Sequence, residues 1–125
     1  MNWTALGSVL MTLAVAAGAF GAHGLRNRLD AYSMSVYEKA VFYHFVHALG
    51  ILLLVVLART GAITTSGQAR AGWLLFMGIL IFSGSLYALA VSGIRVLGAI
   101  TPIGGVAFIA GWLVLAYEAM RIQRP

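Results

Sequence analysis

Four apolar stretches, each long enough to cross a lipid bilayer, dominate the 125-residue sequence. A helix needs about 20 consecutive apolar residues to traverse the hydrocarbon core. The stretches run from about Trp3 to His23, Val36 to Ala58, Ala71 to Val91 and Val96 to Met120. In lipid every backbone amide must be paired within the segment, so helices are the natural conformation. The sequence therefore predicts a single all-α membrane domain over residues 1–125: a four-transmembrane-helix bundle.

Composition narrows the partners. With 62% hydrophobic and 9% charged residues, the chain lacks the polar surface that a water-soluble domain of this size would need. The net charge of +5 comes from basic residues scattered between the apolar runs. They form no patch for nucleic acid and are expected to face lipid phosphates. There is no cysteine, hence no disulfide or thiolate chemistry. The first stretch, with Ala17, Ala19 and Ala22 near its end, resembles a signal peptide, but no lysine or arginine precedes it. It is read as a span.

Local signals suggest boundaries. Ser35-Val36-Tyr37-Glu38 has the form of a capping box and predicts Ser35 as the N-cap of the second helix. Thr101-Pro102 either caps the fourth helix or marks a kink in a helix that starts earlier. Between the first two spans, Leu25, Leu29, Tyr32 and Val36 recur at helical spacing, which fits either a short interfacial helix or a polar loop. The stretch from Arg59 to Arg70 reads as a plain turn.

Alternation of spans defines two sides, A (with the N-terminus) and B. His23, His44, His47, Ser83, Ser85, Tyr87 and Thr101 all fall in the B half, with Arg95 in the turn beside them. Polar groups in lipid must pair with one another or with a ligand. These residues, together with Tyr43, are thus the candidate ligand-binding set. His44 and His47, three apart, lie about 4.5 Å apart along a helix axis. With His23 they could hold a metal or haem, relay protons, or only hydrogen-bond between helices. No cofactor is predicted, and two histidines without a carboxylate or thiolate are a weak metal signal. Orientation is balanced: Arg59, Arg70, Arg121 and Arg124 on side A face Arg26, Arg28, Lys39 and Arg95 on side B.

Small residues at four-residue spacing predict close helix packing, within the chain or in a homo-oligomer: Ala14, Gly18 and Ala22; Ala17 and Gly21; Gly84, Ala88 and Ser92; Ala107 and Gly111. Glu118 and Arg121 are expected to form a solvated surface pair.

Several segments carry a family resemblance: Gly18-Ala19-Phe20-Gly21-Ala22-His23, Tyr43 with His47, Phe82-Ser83-Gly84-Ser85-Leu86-Tyr87, and Thr101-Pro102-Ile103-Gly104-Gly105 followed by Gly111-Trp112. Over nearly the whole chain it resembles the bacterial inner-membrane family called "domain of unknown function 423". The resemblance implies a four-span inner-membrane protein and brings no activity, substrate or catalytic residue. That family often has glutamine after the tyrosine; here it is His44.

Three functions follow as alternatives. One is a non-enzymatic module binding a small ligand, ion or lipid at the B-side cluster. Another is a structural or assembly partner of a different membrane protein. The third is a metal, haem or quinone subunit built on histidine. No catalytic motif is present.

Overall fold

The computed structural model describes residues 1–123; Arg124, counted above on side A, lies outside them. The five α-helices are α1 (Trp3–Phe20), α2 (Ala31–Arg59), α3 (Thr65–Gly78), α4 (Gly84–Ser92) and α5 (Thr101–Ile122). They make four spans, because a π-turn at Ile79–Ser83 joins α3 to α4 into one continuous helix, Thr65–Ser92. A second π-turn, Gly21–Leu25, extends α1, and a 3₁₀ turn at Arg95–Ala99 leads into α5.

Each span is longer than the apolar pattern indicated, and the caps explain why. Asp30, with extended backbone, accepts the Ser33 N–H at 2.7 Å and starts α2 well before Ser35. The predicted capping box is therefore inside the helix. The same early start leaves no separate interfacial helix: Leu25 closes the first span, and Tyr32 and Val36 already belong to α2. Thr64 accepts the Gly67 N–H at 2.9 Å and begins α3 at Thr65, so much of the supposed turn before Arg70 is helical. Thr101-Pro102 does open a helix, since proline suits a position whose N–H has no partner. Thr101 provides no cap there. At the other end of α4, Gly93 takes a left-handed φ of 72°, and its N–H closes the helix on the Leu89 carbonyl.

The Asp30 cap carries a pH dependence. Its carboxyl is held below its ordinary 3.8, first by the Ser33 backbone N–H and then by the Ser33 side chain, against desolvation, with Arg95 adding the least. A depressed folded value means that the stabilisation is complete above pH 3.8 and disappears as pH falls through the folded value. Circular dichroism of the detergent-solubilised protein should therefore show α2 fraying below about pH 4. Asp30→Asn keeps a capping oxygen and should remove that acid transition. An unchanged transition in the variant would rule out this origin.

Packing follows the missing side chains. α1 lies on α2, α2 on the α3–α4 span, and α3 with its π-turn on α5. The side-A core gathers Trp3, Leu10, Ile51, Leu54, Leu75 and Phe108. The side-B core gathers Leu25, Val36, Tyr37, Ala40, Leu86 and Leu89. Gly104 lets α5 touch the backbone of Phe82 in the π-turn, and Gly111 receives Leu75. Val9, Leu13, Leu53, Val106, Ile109 and Leu113 point outward, as residues facing lipid should.

The small-residue rows divide accordingly. Ala14 and Gly111 are buried at helix contacts, while Gly18 and Ala107 are only partly covered. Ala22, Gly84 and Ala88 are exposed, and a Cβ on Gly84 would meet nothing within 4 Å. Their predicted packing role inside the chain is overturned because the π-turns displace them from the contact face. A π-turn shifts the register of every later residue on the helix.

Candidate functional site

The B half contains two kinds of polar structure, a buried network and the clefts around it. In the network, polar side chains act as ties between helices. The Ser83 hydroxyl donates to the Ala40 carbonyl of α2 at 2.8 Å, in a fully buried position. Ser85 bonds the Thr101 hydroxyl at 2.7 Å, joining α4 to α5, and donates to its own helix at the Phe82 carbonyl. Tyr37 donates to the Ala17 carbonyl of α1 at the turn preceding Gly21, where its ring fills the space a Cβ would take.

The histidines are split. His44 Nδ1 pairs with the Tyr87 hydroxyl at 2.9 Å, linking α2 to α4. Its Nε2 is buried and, among the described residues, has no hydrogen-bond partner, although the Leu10 backbone of α1 is close to the ring. His47 Nδ1 donates to the Tyr43 carbonyl at 2.7 Å, since a carbonyl can only accept, and this sets the tautomer. Its ring stacks on Phe108 with centroids 3.5 Å apart. Tyr43 packs on Phe82 at 4.4 Å and remains partly open to lipid.

His23 does not join them. It sits in the first π-turn, exposed, and its side chain makes no hydrogen bond among the described residues. Its assignment to the B-side cluster is corrected on that ground: the wide turn carries it outward. The described residues contain no group of three or more His, Cys, Asp or Glu side chains placed to hold a metal ion.

The sequence reading missed two features. Glu118 is no solvated surface group; its side chain is completely covered on side A. It accepts from the Thr64 hydroxyl at 2.7 Å and from Arg70, with Arg121 at 3.8 Å. Gly67 leaves the room in which that carboxylate sits. The sequence signal was a glutamate near the end of an apolar run, with no lysine or arginine before it in that run. The other feature is a pair of clefts flanking α2 at its B-side end.

One cleft, of about 410 Å³, lies between α2, α4 and the start of α5. Phe82, Leu86, Leu89 and Pro102 form its apolar wall, and Thr101 brings the edge of the buried network to it. Tyr32, Ser35 and Lys39 line the α2 side, and the Arg95 guanidinium lies 4.7 Å from the Tyr32 ring centroid. The other cleft, between α1 and α2, holds about 330 Å³.

Residues 17–105, the segment holding both π-turns and most of the buried network, match the family described as "Protein of unknown function (DUF423)". The chain belongs to this family. Its relatives include a UPF0382 membrane protein of Staphylococcus haemolyticus, 54% identical over 93% of each chain. Another from Staphylococcus saprophyticus is 51% identical over 94% of this chain and 95% of its own. UPF0382 membrane protein YwdK of Bacillus subtilis is 47% identical over 93% and 94%. No solved structure matches the chain. The relatives are called membrane proteins, and four helices here are long and apolar enough to span a bilayer. This DUF423 chain is thus a membrane protein in contact with lipid.

Proposed function

We propose that the chain is a non-enzymatic, multi-pass protein of the bacterial inner membrane that binds an anionic lipid through its phosphate-bearing headgroup. The site is the B-side cleft between α2, α4 and α5. The observation that carries this reading is the joining of an apolar wall to a cationic, hydroxylated rim. Acyl chains suit Leu86, Leu89 and Pro102, while Lys39 and Ser35 offer charge and hydrogen bonds to phosphate oxygens. Neither Lys39 nor Arg95 is in an ion pair with a carboxylate among the described residues. Asp30 faces Arg95 from the start of α2 and tempers its charge. The Ser85–Thr101 bond supports the reading as well, because it fixes the wall on which the acyl chain would lie.

Native mass spectrometry of the purified protein with phosphatidylglycerol tests it. A basic residue near the bilayer surface contributes about 1 kcal/mol to anionic-lipid binding, so Lys39→Gln should weaken retention about fivefold. Lys39→Arg should restore it. Equal retention by wild type and Lys39→Gln would sink the proposal.

A second reading, an assembly partner or a homo-oligomer, is favoured by the outward Gly84 and Ala88, which leave the α4 backbone open to another helix.

A further inference from the structure

On α2 the residue before Lys39 serves a different cleft. Glu38 and Arg26 share the polar end of the 330 Å³ space between α1 and α2. That space exists because α1 has almost no side chains there. Gly18, Gly21 and Ala22, at spacings of three and one, leave a bare wall facing Phe42 and Phe45. Gly21 is covered by the Tyr37 ring, whereas Gly18 meets only Val41 at ordinary contact distance. Phe42 stands 63% exposed and forms the outer edge. A trough of this kind, open sideways to hydrocarbon, will be filled by lipid chains, not by water.

The charges at its end are unusual for such a place. Arg26 and Glu38 have opposite sign, and among the described residues neither forms an ion pair, with the other or with a third group. An anionic headgroup would meet Arg26 favourably and Glu38 unfavourably. A headgroup carrying both charges satisfies both. We infer that the α1–α2 cleft binds a zwitterionic phospholipid bearing a primary ammonium, with its phosphate on Arg26, its ammonium on Glu38 and one acyl chain along Gly18 and Phe45. A primary ammonium, with its three N–H groups, suits the site because a carboxylate takes charge-assisted hydrogen bonds from such donors. A quaternary ammonium has none to give. This cleft lies across α2 from the one lined by Lys39, and the inference does not depend on that site.

Native mass spectrometry of the full-length protein tests it, with phosphatidylethanolamine, phosphatidylcholine and phosphatidylglycerol of identical acyl chains. Wild type should retain phosphatidylethanolamine about tenfold better than phosphatidylcholine, as the loss of a charge-assisted hydrogen bond implies. Glu38→Gln should reduce that ratio towards one, Glu38→Asp should preserve it, and Arg26→Gln should weaken both lipids. Lys39→Gln should leave the ratio alone, which separates this cleft from the anionic-lipid site. Both Glu38 and Arg26 are exposed, so these variants should keep the fold, with unchanged melting as the control. Equal retention of the two lipids by wild type overturns the inference. So does a Glu38→Gln variant that gains phosphatidylglycerol while its phosphatidylethanolamine preference persists. Loss of the preference in Lys39→Gln but not in Glu38→Gln also overturns it, since the headgroup would then sit across α2.

Discussion

Gly104→Ala should destabilise the protein by about 3 kcal/mol, the upper end of what one added methyl costs in a packed core. A Cβ at this position would strike the backbone nitrogen and Cα of Phe82, besides its Cβ. A flexible side chain could swing away; the backbone of a π-turn cannot, because Ser83 next to it is tied to Ala40 and Ser85 to Thr101. The methyl can be accommodated only if α5 moves off the third span, and that movement strains the Ser85–Thr101 bond. Reversible unfolding in mixed micelles, followed by circular dichroism, would measure the loss. Gly84→Ala is the control. Its Cβ meets nothing within 4 Å, and alanine favours helix over glycine by up to about 1 kcal/mol, so that variant should hold or gain stability. Similar losses in both variants would refute the close α5 approach.

The second large effect is expected at the covered carboxylate on side A. Thr64 uses one hydroxyl twice: it accepts the Gly67 N–H to start α3 and donates to Glu118 of α5. Arg70 completes the pairing. Substituting Glu118 with alanine should therefore loosen the Thr64 cap and leave Arg70 without its acceptor, lowering the melting temperature more than Glu118→Gln. Gly67→Ala should cost about 1–3 kcal/mol, because its methyl would enter the space of the carboxylate. The decisive measurement is the double variant. If the methyl and the carboxylate compete for one volume, Gly67→Ala should be markedly milder in the Glu118→Ala background than in the wild type. Strict additivity would mean that the two groups do not meet, and the enclosed position of the carboxylate would have to be abandoned.

The local spacing around Glu118 does not disclose its enclosure. Arg121 lies three residues away on the same helix, and a surface ion pair is the ordinary meaning of that spacing. The stronger partners, Thr64 at the cap of α3 and Arg70 within it, lie 54 and 48 residues earlier. Helix–helix docking alone could disclose them. The small-residue rows divide for a related reason. Ala14 and Gly111 kept the face their spacing implied, whereas Gly84 and Ala88 follow a π-turn that rotates them outward. Of the glycines that make the closest approaches, Gly21 and Gly111 lie in the four-residue rows, whereas Gly67, Gly72, Gly78 and Gly104 belong to none.

Among the polar residues, depth was legible and direction was not. His44, His47, Ser83, Ser85 and Thr101 share the B half because counting along a helix yields depth. Whether each side chain meets a neighbour depends on rotation about the helix axis. For His23 that rotation leads to exposure, and for His44 it leads to Tyr87.

Hydrophobicity and length alone thus determined the solvent, the number of spans and the helical class, since lipid forbids an unpaired backbone. Three things were decided only by tertiary structure: which polar groups bond across helices, which carboxylate is enclosed, and where the clefts open. Each depends on azimuth and on distance between segments remote in sequence. Two wide turns reset that azimuth within single spans, and no pattern of apolar residues records the reset.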